Sequence, residues 1–306
     1  MKNTALLIAG PTASGKSALA LQLACQLDGV VVNTDSMQVY RDLRIITARP
    51  SIAEETKVSH RLYGHVDAAE NYSAGRFARD VAPLLNELGD AGKMPIFVGG
   101  TGLYFRALIE GLSEMPVVPE GVRNDIRQWA MGRSAQEIHR ELARRNAEAA
   151  AALHPTDTQR ILRALEIVAA TGHPPAFFHA RRVPGPLAGW NKAAVFLAPE
   201  REGLHQAINT RFAAMMQAGA LDEVAALAAR QLDPALPAMR AHGVPGLLAH
   251  LQGQMTIDEA IQRGQADTRA YVKRQFTWFR QQMPDFSPTI PALASELLVK
   301  KAEAWL

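Results

Sequence analysis

Residues Gly10-Pro11-Thr12-Ala13-Ser14-Gly15-Lys16-Ser17 follow the apolar run TALLIA and open a helical stretch that reaches about Leu27. The two glycines, four residues between them and a closing Lys-Ser pair form a phosphate-binding pattern. The glycines let backbone N–H groups turn inward, and the helix N-terminus adds positive potential. Lys16 would set its ammonium on a phosphate oxygen, and Ser17 could ligate Mg²⁺. The pattern is the one read as nucleotide-binding or ATP-binding, yet by itself it asks only for a di- or triphosphate. Enzymes that cleave ATP or GTP on such a loop usually carry a second apolar strand ending in an aspartate near Mg²⁺. The matching strand here, MPIFVGGTG, ends in glycines and a threonine. The loop is therefore expected to grip a diphosphate that departs.

Asp35 stands where the β-branched run VVVNTD ends. The carboxyl ends of parallel strands border the ligand crevice, so Asp35 is expected beside the loop. A carboxylate there could hold metal, cap a following helix or act as a general base, and position alone does not choose. Ser36, Gln38 and Tyr40 follow it with hydrogen-bonding and stacking groups suited to a planar polar acceptor.

The elements needed to position these groups can be read from the pattern. Buried-type strands at TALLIA, GVVVNTD and MPIFVGG alternate with helical segments, one beginning around Tyr72 with Ser73 as a cap and ending near Asp90-Ala91-Gly92, another in LYFRALIEG. That alternation predicts an α/β fold: a P-loop NTPase-like parallel sheet flanked by helices, formed by residues 1–112 and 190–306. Between them, residues 113–189 show no convincing strand and read as an all-helical insertion domain bordered by MPVVPEG and RVPGPLAG. SAQEIHRELARRNAEAAAAL opens with a capping box from Ser134 to Glu137, and TDTQRILRALEIVAATG is a helix closed by Gly172. KAAVFLAP is a further strand, and the remainder reads as helical.

Composition narrows the class. With 48% hydrophobic and 21% charged residues the chain is ordinary for a soluble globular protein, and no window of 18 apolar residues suggests a membrane span. The single cysteine excludes a disulfide framework, and Cys25 is expected to pack inertly in the core. The short apolar N-terminal run reads as a buried strand, not a signal peptide, so a cytoplasmic location is expected. A net charge of +3 is mild support for a polyanionic partner. The nine histidines show no metal-ligand spacing, and His60 and His65 are expected to be structural.

Over nearly its whole length the chain resembles the tRNA dimethylallyltransferase (tRNA isopentenyltransferase) family. GPTASGKS is similar to its phosphate loop, NTDSMQVYRDL to its acceptor segment, and VGGTGLYFRAL to its glycine-rich strand end; ITARPS, HRLYGHVD and NYSAGRF lie in the same order. The resemblance implies transfer of a five-carbon group from dimethylallyl diphosphate to N6 of adenine 37 of tRNAs reading codons that begin with U, with Mg²⁺ as cofactor and a monomeric enzyme. It implies Asp35 as general base and Thr101 as a hydrogen-bond donor at the bridging or leaving oxygen. Lys16, Ser17 and Arg211 would then hold the departing diphosphate. It further implies tRNA contacts from Asp35-Ser36-Met37-Gln38, Thr101, Arg123, Gln159-Arg160-Ile161-Leu162-Arg163, Arg240 and Lys273-Arg274-Gln275-Phe276-Thr277-Trp278-Phe279-Arg280. The chain departs from the family where Arg240-Ala241-His242-Gly243-Val244-Pro245 lacks the usual Gly-Tyr pair, where Ile46 replaces a common glycine, and where Arg49 replaces a common lysine.

Helical spacing puts Arg160 and Arg163 on one face, with Asp157 a cap. In the long helix after Thr256 and Glu259, a second capping box, Arg269, Lys273 and Arg280 share a stripe with Phe276; Tyr271, Arg274 and Trp278 share the next. The arginines suit phosphate contacts, whereas Phe276 and Trp278 could stack on bases or pack in the core. Three other readings stay open: a small-molecule kinase, an isopentenyltransferase acting on free adenine nucleotides, and a non-catalytic RNA-binding protein with a nucleotide switch.

Overall fold

The structure, a computed structural model, describes residues 3–180 and 182–305. β1 (Thr4–Ala9) runs into α1 (Lys16–Gln26), followed by β2 (Gly29–Asn33), α2 (Ile52–Lys57) and β3 (His60–Arg61). α3 (Ala74–Asp90), β4 (Met94–Gly99) and α4 (Gly102–Ile109) complete the first part. The middle segment holds β5 (Leu112–Ser113), α5 (Glu120–Ala130), α6 (Ala135–Arg145), α7 (Ala147–Ala151), α8 (Thr158–Thr171), α9 (Pro175–Phe178) and β6 (Arg182–Val183). The last part contains β7 (Asn191–Leu197), α10 (Arg201–Gln217), α11 (Ala220–Ala229), α12 (Val244–Leu251), α13 (Ile257–Gln282), β8 (Ser287–Thr289) and α14 (Pro291–Glu303).

Six strands pair in the order β3-β2-β4-β1-β7-β8, and every pairing is parallel. β1 and β4 are buried along their full length, which is why TALLIA and MPIFVG read as unbroken apolar runs and not as alternating ones. Leu6, Ile8, Ile96, Val98, Val195 and Leu197 face α1 and α14. Around Phe196 lies an aromatic layer, with Phe105, Phe279 and Phe286 at centroid separations of 4.8–5.8 Å. That layer anchors α4 and α13, the two helices that approach the strand ends.

The chain divides into two compact units: residues up to Glu110 with those from Gly185 onward, and Gly111–Pro184. The pattern of prolines and glycines drew the second border at residue 189. Gly185 abuts the Leu108 carbonyl, and the Leu187 N–H donates to that carbonyl at 2.9 Å, so residues 185–189 belong with the sheet unit. In the Gly111–Pro184 unit, α5, α6, α7 and α8 enclose Ile126, Ile138, Leu142, Ile161 and Leu165.

Several local expectations are corrected. β8 adds an edge strand where helix was expected; it has three residues, includes Pro288 and is largely exposed, so it carries no apolar signature. β5 and β6 pair over two residues within the segment read as strand-free. The helix opened by the Ser134–Glu137 box stops at Arg145, because the Asn146 side chain accepts the Ala149 N–H at 2.8 Å and starts a new helix. Cys25 is exposed: α1 buries Leu19, Ala20, Leu23 and Ala24, and the next position turns past that stripe. Tyr40 is fully buried and has no face to offer a ligand. No single helix among the described residues is long and apolar enough to cross a membrane.

Candidate active site

β1 ends at the loop the sequence singled out. Gly15 at φ +86° and Ala13 at φ +61° turn the backbone into the concave path that such a loop needs, and no side chain caps α1. Its first N–H groups are therefore available to an anion. The Lys16 ammonium donates to the Pro11 carbonyl at 2.5 Å. Burial, then the neighbouring Arg211 charge, pushes the Lys16 pKa down to about 7, with the Asp35 carboxylate opposing. Arg211, from α10, bonds the Thr12 hydroxyl, so it reaches the loop from the far side of the chain.

Asp35 lies just past β2 in a turn that holds it firmly. Its N–H donates to the Asn33 side-chain carbonyl at 2.8 Å, and the Asn33 amide donates to the Asp35 carbonyl at 2.9 Å and to the Leu62 carbonyl at 3.0 Å. Asp35 Oδ1 accepts the Met37 N–H at 2.9 Å. No helix follows, which removes the capping role considered above. The adjoining strand end is laced to this turn: Thr101 N–H donates to the Thr34 carbonyl at 3.2 Å, and Thr101 Oγ1 accepts the Ser36 N–H at 2.9 Å. The glycines of VGGTG allow that approach. A Cβ on Gly99 would collide with the Thr34 carbonyl, and one on Gly100 or Gly102 with Gln275 or Trp278.

A single cavity of about 210 Å³ joins these groups. Thr12, Lys16, Ser17 and Arg211 line it on the side of the phosphate loop, and Asp35, Ser36, Gln38 and Gln275 add polar side chains, with Met37 beside them. Ile46, Ile208, Phe212 and Met215 form an apolar side. Thr101 is not among the residues lining it; its hydroxyl accepts the Ser36 N–H and bonds the Ser36 hydroxyl, and Ser36 does line the cavity. Gln38 lines the cavity, with its amide donating to the Thr47 and Ala48 carbonyls.

Tyr271 and His242 belong to the wall as well, and neither stood out as a cavity residue in the sequence. Their rings lie 4.7 Å apart. Burial and then the Asp35 charge raise the Tyr271 pKa, and burial followed by Arg274 lowers that of His242. Helical spacing was the one available signal: Thr268, Tyr271 and Gln275 fall on one face of α13 and share the cavity.

The expected RNA-facing residues divide sharply. Lys273, Arg274 and Arg280 are exposed on α13, and Arg240 is exposed at the cavity. Phe276 packs 5.2 Å from Phe196, and Trp278 covers Gly102 and meets Phe279 at 5.3 Å, so both pack against the core while remaining half-buried. Phe279 and Ile161 are buried, which leaves their side chains no surface for RNA. Thr277 donates to the Lys273 carbonyl within its own helix. Gln275 is also buried: its amide donates to the Gly100 carbonyl at 2.9 Å, and its Oε1 has no partner among the described residues. In the other unit Gln159 and Arg160 are exposed, and Leu162 and Arg123 are half-buried. Arg163 is tied, together with Arg127, to the buried carboxylate of Glu166 at 3.2 Å. His60 and His65 bond the Val58 carbonyl and the Tyr72 hydroxyl, as structural side chains would.

Comparison with known proteins agrees with this arrangement. The family model described as IPP transferase matches residues 38–282, and that described as isopentenyl transferase matches residues 3–71. A tRNA dimethylallyltransferase of Methylobacterium radiotolerans is 63% identical over 91% of this chain and 90% of its own. One from a Bradyrhizobium species is 58% identical over 95% and 96%. The crystal structure of a Bacillus halodurans tRNA isopentenylpyrophosphate transferase superposes with TM-score 0.69 at 31% identity, covering 99% of both chains. A eukaryotic dimethylallyltransferase captured acting on tRNA gives TM-score 0.74 at 29% identity, over 92% of this chain and 71% of that one. With a phosphate loop, a facing carboxylate and this likeness along its length, the chain belongs to the tRNA dimethylallyltransferase family of prenyltransferases.

Proposed function

We propose that this prenyltransferase takes dimethylallyl diphosphate and transfers the five-carbon group to N6 of adenine 37 in tRNAs reading codons that begin with U. The observation that carries the proposal is the cavity in which the phosphate loop and Asp35 face each other. The adenine amine attacks C1 of the allylic donor, the C1–O bond breaks, and the proton lost from nitrogen passes to Asp35. Lys16, the loop N–H groups and Arg211 hold the charge that gathers on the departing diphosphate, where preorganised donors act most strongly. The base has to leave the anticodon loop to reach Asp35, the usual recourse of enzymes that modify a base.

Magnesium fits this donor set. Ser17 is exposed, and it and Asp35 both line the cavity; an ion held mainly by waters and phosphate oxygens needs few protein ligands. Among the described residues no group of three or more His, Cys, Asp or Glu side chains could hold a metal by itself. When bound, the ion would supply positive charge to the leaving diphosphate. We further propose a monomeric, cytoplasmic enzyme with no membrane attachment.

Incubation with labelled dimethylallyl diphosphate and unmodified tRNA, followed by nucleoside analysis, is expected to yield N6-(dimethylallyl)adenosine. Label on free adenine nucleotides with none on tRNA would overturn the proposal. Lys273, Arg274 and Arg280, on exposed positions of α13, are the proposed phosphate contacts. Lys273→Ala or Arg280→Ala is expected to weaken tRNA binding and to lower the log–log salt slope by roughly one each. Filter binding between low and moderate salt measures it, and an unchanged slope argues against contact.

A further inference from the structure

The apolar side of the cavity has an inner wall that no motif accounts for. Ile208, Arg211, Phe212 and Met215 recur on one face of α10 and line the cavity. Arg211 turns to Thr12 in the phosphate loop, while Phe212 and Met215 carry the same face on without a polar group. The Phe212 ring fits because glycines lie opposite. A Cβ on Gly243 would come within 3.0 Å of its Cε2, and one on Gly264 would overlap its Cζ. Ile46 closes on the same spot, its Cδ1 2.9 Å from that Gly243 position.

The segment that carries Ile46 is fixed from several directions. Glu223 accepts the backbone N–H groups of Arg44, Ile45 and Ile46 at 2.8, 2.8 and 2.9 Å. Gln38 donates to the Thr47 and Ala48 carbonyls at 2.8 and 2.9 Å. A close-packed wall held this way yields little to a larger guest.

We infer that Ile46 and Phe212 form the end wall that limits the donor's isoprenoid chain to five carbons. The inference rests on the prenyl transfer proposed above. The diphosphate is fixed at Lys16 and Arg211, so its tail must lie on whatever surface adjoins them. Ile46, Ile208, Phe212 and Met215 offer a purine nothing to hydrogen-bond, whereas Asp35, Ser36 and Gln275 do; the apolar side therefore suits the tail and the polar side the base. Ile46 and Phe212 line the same cavity as Lys16 and Arg211, so they are the wall a longer tail would have to displace. A longer donor would react with the same balance: C1–O breaks, nitrogen bonds to C1, one amine proton goes to Asp35 and diphosphate leaves.

The test compares dimethylallyl with geranyl diphosphate on unmodified tRNA, using the parent enzyme, Phe212→Leu and Ile46→Ala. Pyrophosphate binding, which the wall does not touch, checks the fold of each variant. The parent is expected to disfavour the ten-carbon donor, and each variant to raise the geranyl-to-dimethylallyl ratio of kcat/KM by roughly tenfold or more. Should either variant fail to bind pyrophosphate, the other decides, and Ile46→Val, which deletes one methyl, is expected to shift the ratio the same way. Parent-like ratios in variants that bind pyrophosphate would overturn the wall alone, as would a parent that uses both donors equally. A parent that prenylates no tRNA would overturn the underlying reaction, and the wall with it, before any variant is made.

Discussion

Asp35→Ala is expected to lower prenyl transfer roughly 100- to 10,000-fold in kcat, the range that a positioned general base contributes, while tRNA affinity stays within a few-fold. One Asp35 oxygen accepts the Met37 N–H; the other takes no hydrogen bond among the described residues and is available to a substrate amine. The backbone on either side is held by Asn33 and by the Thr101–Ser36 bond, so the turn does not rely on the carboxylate alone. Asp35→Asn separates chemistry from architecture. Its side-chain oxygen can still accept from Met37, yet it cannot take a proton. Single-turnover assays at saturating tRNA should find both variants similarly impaired. If Asp35→Asn transferred the prenyl group at the parent rate, the carboxylate would be part of the turn and another group would have to be the base.

The location of this site was legible in the sequence because its two central parts are local. Eight consecutive residues specify a phosphate cradle, and one carboxylate at a strand end specifies its neighbour. The cavity walls are assembled across the chain, so the residues alone did not reveal them, and only the family resemblance pointed to Arg211 and Gln275. Arg211 meets Thr12 only when α10 crosses the strand ends, and Gln275 reaches the Gly100 carbonyl from α13. Ile46 and Phe212 are ordinary apolar residues until Gly243 and Gly264 make room between them. The same distinction applies at Ile161 and Phe279, whose side chains are buried. A motif read as a string assigns every letter to the ligand, but a helix turns about 100° per residue, so a contiguous run must send some side chains to the core. Burial takes those two side chains off the protein surface, whereas Lys273, Arg274 and Arg280 stay exposed. Strand β8 escaped for a different reason: at an edge, three exposed residues need no hydrophobic pattern in order to pair.

Lys16→Gln is expected to lower transfer roughly 100- to 1,000-fold, the cost of losing one preorganised donor to developing charge, and also to remove a pH dependence of donor binding. Burial and the Arg211 charge push the Lys16 pKa down to about 7 in the unliganded protein. A diphosphate placed on the ammonium restores the charged form, so binding above pH 7 must draw a proton from solvent. The sign follows from linkage: affinity is full below about pH 7 and falls toward tenfold per pH unit above it, until the pH reaches the raised pKa of the complex. The unliganded fold behaves in the opposite way. It carries the penalty of a buried charge below pH 7 and loses it as pH rises toward the free-lysine value of 10.5. Calorimetry with an unreactive diphosphate ester, in two buffers of different ionisation heat, counts the protons taken up at pH 6 and pH 8.5. Subtracting the same measurement on Lys16→Gln removes the ligand's own ionisation. A residual uptake near one proton at the higher pH and near none at the lower is expected; equal uptake at both would mean that Lys16 is charged throughout and that the loop holds an ammonium even when empty.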